Sequence, residues 1–448
     1  MSTFPLDSYQ ESIVNSDSDN IVVIAGAGSG KTRVLTERIK HLLDKGVNPS
    51  SIVAFTFTVM AAEELKERLS DIPGSDKMFI GTIHSYANFI LRHYSNVQYE
   101  LLTDELEHDI MLDLCKHNKI PPITTKIYED FKSQHYDGGK VYNHITLKYG
   151  YKAAEALRHI LEFDSTDEFP ITIKSIARIN NYITFDKLIE LATEYFENTG
   201  NYVDYLFVDE FQDIGNLEYK FIASLQALSY FVVGDDYQSI YGFKGANPGY
   251  FQKLTKKPGW TVYKLINNYR CGKNILNYAN SYINECRTVI KKETKSVTNY
   301  LGSCHRCYGL TDIMKAIKNI SNGKYKDWFI LFRTNKEVEV CLETLKRNNI
   351  PCTTFKKARL TPEAVQTLLK NNTVKVLTIH TSKGLENKNV AVLYPTSKLY
   401  KSVYNSDRRV SIDDDDLTDF MEDGFIKEEE VRLYYVGCTR AKENLYIL

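Results

Sequence analysis

Residues Ala25 to Thr32 read AGAGSGKT. They follow a short apolar run, Asn20 to Ile24, and precede an amphipathic pattern from Thr32 to Leu43, which gives the order strand, loop, helix. The glycines allow backbone N–H groups to approach phosphate oxygens, the Lys31 ammonium can reach a terminal phosphate, and the threonine hydroxyl can ligate magnesium. The stretch therefore predicts a P-loop that opens a parallel α/β domain, although the strict pattern has glycine in place of the first alanine.

The same strand-then-helix order continues along the chain. Ile52 to Thr56 precedes a helical pattern at Ala61 to Leu69, and Met78 to Gly81 precedes another at His84 to Tyr94. This order predicts a doubly wound parallel sheet that helices cover on both faces. Further strands of this sheet are expected at Tyr205 to Val208 and Tyr230 to Val233.

The stretch from 95 to 195 has a different character. Its patterns are mainly helical, and the connections between them are polar and rich in tyrosine and lysine. We therefore expect a helical subdomain inserted into the first α/β domain. Its predicted helices lie at Asp104 to His117, Tyr151 to Glu162 and Phe185 to Thr199.

A second α/β set follows the first. Its expected strands lie near Thr261 to Leu265, Trp328 to Phe332, Val374 to Ile379, Val390 to Leu393 and Leu445 to Leu448. Residues 334–373 leave room only for a helix, a strand and a helix of the core, so this domain is expected to carry no sizeable insertion. The predicted domains are 1–94 with 196–260, the inserted 95–195, and 261–448.

Composition excludes several classes of protein. Hydrophobic residues make up 43% and charged residues 25%, which is typical of a globular chain. No apolar run is long enough to span a membrane and the N-terminus does not resemble a signal peptide, so we expect a cytoplasmic protein. The formal net charge of -1 means that nucleic acid would be bound by a local groove or by stacking. Cys304 and Cys307 form the single CxxC, and reduced thiols are expected.

Two adjacent acids follow a buried strand. In YLFVDEFQD, the apolar run Leu206 to Val208 leads into Asp209 and Glu210, at the carboxyl end of a parallel strand, where ligand sites lie. Asp209 can hold magnesium, and Glu210 can orient and deprotonate an attacking water. Two buried carboxylates are costly without a partner or a metal, so the pair indicates a nucleotide-hydrolysing site.

Ordered motifs extend from Gln10 to the C-terminus. They are AGAGSGKT, VDEFQD, VGDDYQSIYGFKGA (Val233 to Ala246), NNYR (Asn267 to Arg270), TIHTSKGLE (Thr378 to Glu386) and YYVGCTRAK (Tyr434 to Lys442). In order and spacing this set resembles that of UvrD/Rep/PcrA-like superfamily 1 DNA helicases. The resemblance implies an α/β fold of two RecA-like domains, with ATP and Mg²⁺ as cofactors.

The resemblance also assigns roles in the nucleotide site. Gln10 resembles the glutamine that reads the adenine edge, Tyr269 the residue that stacks on adenine, and Glu386 the glutamate near the ribose and phosphates. The implied cofactor-binding residues are Gln10, Ala25, Gly26, Ala27, Gly28, Ser29, Gly30, Lys31, Thr32, Arg33, Tyr269 and Glu386, with Thr32 and Asp209 as metal ligands.

The resemblance also implies that residues of both domains take part in catalysis. Gln238 is similar to the residue that senses the γ-phosphate and the attacking water, and Arg270 and Arg440 resemble two arginine fingers from the second domain. Such an arginine stabilises charge on the phosphoryl oxygens and can contribute about 10³ to 10⁵ in rate. The implied catalytic residues are Lys31, Asp209, Glu210, Gln238, Arg270 and Arg440.

A third group resembles the strand-contacting residues of the family. Its members are Phe57, Thr58, Thr82, His84, Tyr241, Phe243, Lys244 and His380. Stacking a base on an aromatic ring is worth roughly 1–3 kcal/mol and tolerates any base sequence. The alternative for each aromatic ring is ordinary core packing.

The chain departs from the family pattern in three short segments and in its domain architecture. Val59 and Met60 replace the usual Asn-Lys, which removes polar contacts from that loop. Phe243 and Lys244 replace Trp-Arg, so that a smaller ring and a point charge stand where an indole and a planar donor are usual. Cys271 replaces a common serine. The family's second inserted subdomain, which is associated with duplex contact, is expected to be absent.

The resemblance implies an ATP-dependent helicase that moves 3′-to-5′ on single-stranded DNA, meets single-strand/duplex junctions, and has replication or repair proteins as candidate partners. We expect a monomer. One alternative is a translocase that displaces proteins, or acts on RNA, without strong unwinding. Another is a nucleotide-gated clamp without turnover, which the presence of Glu210 and two arginine fingers disfavours.

Overall fold

The computed structural model describes residues 5–117, 146–147, 151, 180–355, 360–393 and 428–447. Contacts divide the chain into two compact units, of which one comprises Met1–Ile83 with Asn201–Leu448 and the other His84–Gly200. None of the described helices is both long enough and apolar enough to cross a bilayer.

The strands are numbered in chain order. They are β1 (Asn20–Ala25), β2 (Ile52–Phe55), β3 (Phe79–Gly81), β4 (Glu100–Leu101), β5 (Tyr182–Ile183), β6 (Tyr205–Val208), β7 (Ser229–Gly234), β8 (Thr261–Leu265), β9 (Asn267–Asn268), β10 (Lys295–Ser296), β11 (Ser303–Arg306), β12 (Trp328–Phe332), β13 (Cys352–Thr353), β14 (Val374–Thr378), β15 (Asn387–Val392) and β16 (Ala441–Ile447).

The helices are numbered in the same way. They are α1 (Ser8–Val14), α2 (Lys31–Asp44), α3 (Val59–Leu69), α4 (Ile83–Tyr94), α5 (Asp104–His117), α6 (Phe185–Thr199), α7 (Asn216–Ser224), α8 (Gly249–Leu254), α9 (Lys273–Ile283), α10 (Leu310–Ile320), α11 (Asn335–Arg347), α12 (Pro362–Lys370) and α13 (Ile379–Ser382). Residues 428–438 are also helical.

The larger unit contains two six-stranded sheets. The first has the order β3-β2-β6-β7-β1-β8 and the second β11-β16-β15-β12-β14-β13, and every pairing in both is parallel. Central strands such as β1 and β12 are apolar throughout their buried length, because helices cover both faces of such a sheet. The α/β fold class with two RecA-like domains is confirmed.

One strand lies in a different sheet from the one predicted. β8 was expected to begin the second α/β set, but it pairs with β1 along Ile21–Ala25 and forms the edge of the first sheet. This prediction is wrong because the alternating exposure of a strand such as β8 identifies an edge position without identifying its partner.

The span between β12 and β14 has the compact form expected. It contains α11, β13 and α12, and β13 pairs with β14 at the edge of the second sheet. In the described part of this span the chain therefore builds the α/β core itself and carries no inserted subdomain.

The smaller unit supplies the helical insertion of the first domain. Its described residues include α4, α5 and α6 and the short parallel pair β4-β5. Tyr86 on α4 stacks on Phe196 of α6 at 6.4 Å between ring centroids, and both rings are buried. The helix predicted at Tyr151 to Glu162 lies outside the described residues except for Tyr151 itself.

Apolar clusters hold the two sheets together as well as covering them. The first sheet packs on α1, α2 and α3 through residues such as Val23, Leu35 and Leu65. A separate cluster contains side chains from both halves of the larger unit, including Tyr237, which follows β7, and Tyr435 in the helical residues 428–438. Their rings meet edge to face at 5.5 Å, and neither is exposed.

Candidate active site

Three neighbouring strands of the first sheet end at one edge. They are β6, β7 and β1, which are adjacent and parallel. β1 leads into the P-loop, β6 into Asp209 and Glu210, and β7 into Asp235. Because parallel strands share the direction of their carboxyl ends, these groups converge on one crevice.

The P-loop has the backbone conformation that its glycines predict. Gly28 and Gly30 have φ of 63° and 88°, a region that disfavours side chains, and Gly30 is the N-cap of α2. The Ser29 hydroxyl donates to the carbonyl of Gly26 at 2.8 Å and so braces the loop from inside. The loop thus presents its amides and the start of α2, where anions bind favourably.

The segment that contains the NNYR motif lies against the P-loop. Asn268 Nδ2 donates to the carbonyl of Ala27 at 2.5 Å, and the Tyr269 amide donates to the carbonyl of Gly28 at 2.9 Å. A Cβ atom on Gly28 would lie 2.6 Å from the Cβ of Arg270. Asn268 is buried and had no predicted role, yet its side chain carries the contact between this segment and the loop.

Lys31 and the paired acids are brought together. Lys31 Nζ lies 3.2 Å from Glu210 Oε1, and Gln212 Nε2 donates to Glu210 Oε2 at 2.6 Å. Glu210 has a φ of 51°, which is uncommon for a residue other than glycine and is typical of strained functional positions. The Glu210 amide donates to Asp209 Oδ1 at 2.8 Å, so this turn holds the two acids in a fixed relation.

The two acids have opposite electrostatic settings. Burial and the neighbouring charge of Glu210 raise the pKa of Asp209. Burial alone would raise the pKa of Glu210 as well, but the ammonium groups of Lys31 and Lys383 hold it below its ordinary value. Glu210 is therefore ionised at neutral pH, and Asp209 lies where a cation would stabilise its ionised form.

A chain of hydrogen bonds links the first half to the second. Gln238 Nε2 donates to Asp235 Oδ2 at 2.6 Å, and Arg440 Nη2 donates to Gln238 Oε1 at 2.8 Å. Arg440 follows the helical residues 428–438 and is 1% exposed. Burial and Arg270 lower the pKa of Arg440 to about 9, which leaves the guanidinium charged at neutral pH.

Arg270 and Glu386 are also neighbours. Arg270 Nε donates to Glu386 Oε2 at 2.6 Å, and Lys442 Nζ lies 2.5 Å from Glu386 Oε1. Burial would raise the pKa of Glu386, but Arg270 and Lys442 hold it at about 2. Lys442 is the last residue of the motif YYVGCTRAK and had no predicted role.

Lys383 is a further cation that sequence reasoning missed. Its ammonium contacts Asp213 Oδ2 and donates to the carbonyl of Gln238 at 2.8 Å. It also lowers the pKa of Glu210, which places its ammonium near the paired acids. The available signal was its position in TSKGLE, three residues before Glu386.

The residues expected to bind adenine contact the P-loop at Gly28 and Ser29. Gln10 is 1% exposed and its Nε2 donates to the Ser29 carbonyl at 3.4 Å. The Tyr269 ring is 45% exposed, while its hydroxyl hydrogen-bonds to Asp7, the N-cap of α1. Asn267 Nδ2 donates to the same carboxylate at 2.9 Å. Tyr269 is thus partly exposed, and its hydroxyl is held in place by Asp7.

The side chains expected to bind magnesium are of the types that a P-loop magnesium site uses. Thr32 lies in the first turn of α2. Asp209 is a buried carboxylate, and both its burial and the charge of Glu210 raise its pKa. No group of three or more His, Cys, Asp or Glu side chains is placed to hold a metal among the described residues. A P-loop cation needs few protein ligands, because the phosphates supply oxygens.

The aromatic residues expected to contact a strand form a cluster. Phe57 stacks on Tyr241 at 4.9 Å, and His380 lies 6.0 Å from Tyr241 and 5.5 Å from Phe243 between ring centroids. Phe243 is 67% exposed, whereas Tyr241 is half-buried. The ammonium of Lys244 lies 5.7 Å from the Tyr241 ring centroid.

The other predicted strand contacts are Thr58, Thr82 and His84. Thr58 is exposed, and its hydroxyl accepts from the Ala61 amide at 3.1 Å as the N-cap of α3. Thr82 is half-buried between β3 and α4. His84, in the smaller unit, packs edge to face on Phe185 at 5.6 Å. Val59, which replaces a polar residue of the family pattern, is 66% exposed.

Comparisons with known proteins agree with this arrangement. The sequence model for the UvrD/REP helicase N-terminal domain matches residues 6–259, and that for the UvrD-like helicase C-terminal domain matches 263–361 and 355–448. The chain therefore belongs to the UvrD/Rep helicase family.

Curated relatives agree with this assignment. The chain is 30% identical over 379 residues to ATP-dependent DNA helicase PcrA of Staphylococcus aureus, a match that covers 78% of this chain and 50% of the relative. The protein of the same name from Staphylococcus epidermidis is 30% identical over 391 residues, with the same two coverages. The chain thus spans about half the length of these relatives.

Proposed function

We propose that the chain is an ATP-driven motor that hydrolyses ATP between its two sheets and moves along single-stranded DNA. The observation that carries the proposal is the contact between Arg440 and Gln238, because it joins the second half of the motor to the site of Lys31 and Glu210. A hydrolytic site built from both halves makes turnover depend on their closure.

The proposed roles follow the geometry of the crevice. Lys31 binds the terminal phosphates, and Glu210, which is ionised, orients and deprotonates the attacking water. Thr32 and Asp209 would hold Mg²⁺, which supplies positive charge to the phosphates. Gln238 senses the γ-phosphate through its amide.

The two arginines stabilise charge as it grows in the transition state. Arg440 reaches the crevice through Gln238, and Arg270 is held beside it by Glu386. Both come from outside the P-loop half of the site, and each is aimed by a hydrogen bond to a side chain. Such preorganised cations are effective because little solvent has to reorganise during the reaction.

The base of the nucleotide is proposed to lie between Gln10 and Tyr269. Tyr269 is 45% exposed, and the Asp7 carboxylate holds its hydroxyl in place. Gln10 is buried beside Ser29 and Gly30, so its side-chain amide lies against the loop that is proposed to bind the phosphates. Glu386 is proposed to lie near the ribose and phosphates.

The DNA strand is proposed to run over the cluster of Phe57, Tyr241, Phe243 and His380. Stacking suits a motor because every base has a ring face to offer, whatever the sequence. His380 belongs to the second half while the other three rings belong to the first, and closure of the crevice would therefore change the surface that a strand meets.

We propose 3′-to-5′ movement, single-strand/duplex junctions as substrate, replication or repair proteins as partners, and a monomeric motor. A second candidate is a translocase that displaces proteins without strong unwinding. The compact α11-β13-α12 span favours it, because the family's inserted subdomain at that place is associated with duplex contact.

ATP turnover with and without single-stranded DNA tests the proposal. Stimulation by DNA is expected, and an absence of turnover under both conditions contradicts the motor. Strand displacement is then measured on duplexes with a 3′ or a 5′ single-stranded tail, made of DNA or of RNA. Displacement of the 3′-tailed DNA duplex alone supports helicase action, whereas stimulation without displacement favours the translocase.

A further inference from the structure

Lys292 is a buried ammonium group behind the nucleotide site. It lies in the segment between α9 and β10, and its side chain is 3% exposed. Nζ donates to Asp235 Oδ1 at 2.6 Å, to Asp236 Oδ1 at 2.7 Å and to the carbonyl of Ala25 at 3.1 Å. These bonds use all three of its N–H groups.

The surroundings of Lys292 keep it charged. Burial alone would lower its pKa, but Asp235 and Asp236 hold that pKa well above its ordinary value. The Tyr237 ring centroid lies 3.9 Å from Nζ, which is within the range of a cation–π contact. The two carboxylates are fully buried neighbours, and without this cation they would repel each other in a medium that screens poorly.

The segment around Lys292 is anchored to the same turn through its backbone. The Ile290 amide donates to Asp236 Oδ2 at 2.5 Å, and the Lys292 amide donates to the Tyr237 hydroxyl at 3.4 Å. A Cβ atom on Gly26 of the P-loop would lie 3.1 Å from Thr294. The segment therefore fits closely against both the P-loop and the turn after β7.

Asp235 connects Lys292 to Gln238. One carboxylate oxygen of Asp235 accepts from Lys292, and the other accepts from Gln238 Nε2 at 2.6 Å. Gln238 in turn accepts from Arg440. A continuous series of hydrogen bonds thus runs from the carbonyl of Ala25, where the P-loop begins, to Arg440.

We propose that Lys292 is a positioning residue for ATP hydrolysis, which fixes the Gln238 amide relative to the P-loop by holding Asp235 and the Ala25 carbonyl together. It acts through Asp235 and has no contact of its own with the nucleotide. The inference rests on the proposed function, since it assigns the reason for the placement of Gln238 in that site.

The first test compares two buried lysines. Lys292→Met is expected to lower kcat for ATP by about tenfold or more while the stoichiometry and affinity of a fluorescent ATP analogue stay within about twofold. Lys375→Met is the matched control, because Lys375 is also fully buried but donates to the carbonyls of Asn371 and Thr373, away from the crevice. Its kcat should equal that of the unsubstituted chain.

A double-substitution cycle separates positioning from general support of the fold. If Lys292 acts through Gln238, adding Lys292→Met to Gln238→Ala lowers kcat no further. Independent losses that multiply in the double variant overturn the proposal. Where Lys292→Met alone does not fold, Lys292→Met with Asp236→Asn removes one uncompensated charge, and the same cycle is run in that background.

Nucleotide binding gives a readout that does not require turnover. Aluminium fluoride should tighten ADP binding to the unsubstituted chain, because the complex resembles the transferring phosphoryl group. Lys292→Met should lose this tightening by about tenfold and leave the affinity for ADP alone unchanged. Normal turnover and normal tightening in Lys292→Met contradict this inference only, whereas a failure of the unsubstituted chain to hydrolyse ATP contradicts the proposed function.

Discussion

Arg440 Nη2 donates a 2.8 Å hydrogen bond to Gln238 Oε1, although 202 residues separate the two along the chain. Arg440 is further held by bonds from Nε to the Val436 carbonyl at 2.9 Å and from Nη1 to the Leu385 carbonyl at 3.3 Å. One nitrogen of the guanidinium therefore bonds to Gln238 while the other two bond to backbone carbonyls. A lysine cannot reproduce this geometry.

Arg440→Lys is expected to lower kcat for ATP by about 100-fold or more, since the second half loses its planar donor to Gln238, the proposed γ-phosphate sensor. The affinity for ATP should change by less than about threefold, because the P-loop contacts remain. Steady-state turnover and equilibrium nucleotide binding measure the two quantities. Arg432→Lys is the control, since Arg432 is equally buried, in the helical residues that precede Arg440, but bonds to Thr288.

Lys31→Ala is expected to abolish hydrolysis and to weaken ATP binding. Its ammonium is 3.2 Å from Glu210 and is the cation that the P-loop itself provides. Binding is measured by titration with a fluorescent ATP analogue. Lys45→Ala changes an exposed lysine at the far end of α2 and should leave both quantities unaltered; hydrolysis by Lys31→Ala at the unsubstituted rate would contradict the assignment.

Glu210→Gln is expected to remove turnover and to retain ATP binding. The amide keeps the size of the side chain and accepts the same left-handed backbone, but it cannot take a proton from water. Single-turnover hydrolysis and nucleotide binding are measured on the same preparation. Glu63→Gln, at an exposed ion pair on α3, serves as the control. Normal turnover by Glu210→Gln would refute its role as the base.

Tyr241→Ala is expected to weaken stimulation by single-stranded DNA more than basal hydrolysis. The substitution removes the ring that Phe57 stacks on, and the loss of one stacking platform costs roughly 1–3 kcal/mol of strand affinity. Turnover is measured as a function of DNA concentration. Tyr308→Ala removes an 85% exposed ring elsewhere and should have no effect. Equal loss of basal and stimulated rates would make Tyr241 a core residue.

The free energy of unfolding should depend on pH through His380. Burial and the charge of Arg333 lower its pKa from 6.5 to about 4. Between these values the unfolded chain binds a proton that the folded chain does not, so stability falls as pH drops from 6.5 towards 4.

His380→Gln is expected to reduce the loss of stability between pH 7 and pH 5 by on the order of 1 kcal/mol. Denaturant unfolding at the two pH values measures the difference. His93→Gln changes an exposed histidine on α4 and should keep the pH dependence of the unsubstituted chain. An unchanged pH dependence in His380→Gln would mean that this imidazole titrates normally.

The fold could be predicted from sequence because its signals are local. The apolar runs before the P-loop and before Asp209 were predicted as strands. Both occur in the structure within a residue or two of the predicted bounds. The sheet that β8 joins could not be predicted. Its pairing with β1 joins residues that are far apart in the sequence, and the residue pattern of an edge strand does not identify its partner.

The candidate site could be predicted only where residue type and spacing are distinctive. Lysines are usually solvated, and nothing in the local sequence marks Lys292 as buried or Lys442 as paired with an acid, while the signal for Lys383 was limited to its position in TSKGLE. Asn268 is similar, since an asparagine in a short strand gives no sign that it bridges to the Ala27 carbonyl. The partners of these side chains are distant in the sequence, so the contacts form only in the folded chain.

The edge-to-face contact of Tyr237 and Tyr435 has a mechanical consequence. Both rings are fully buried in one apolar cluster that draws on both halves, so opening the crevice wets a surface that is dry when it is closed. Exposure of that surface opposes separation with a free energy that grows with the area wetted. In the proposed motor, this cost favours the closed arrangement of the two halves, and opening the crevice to release products has to overcome it.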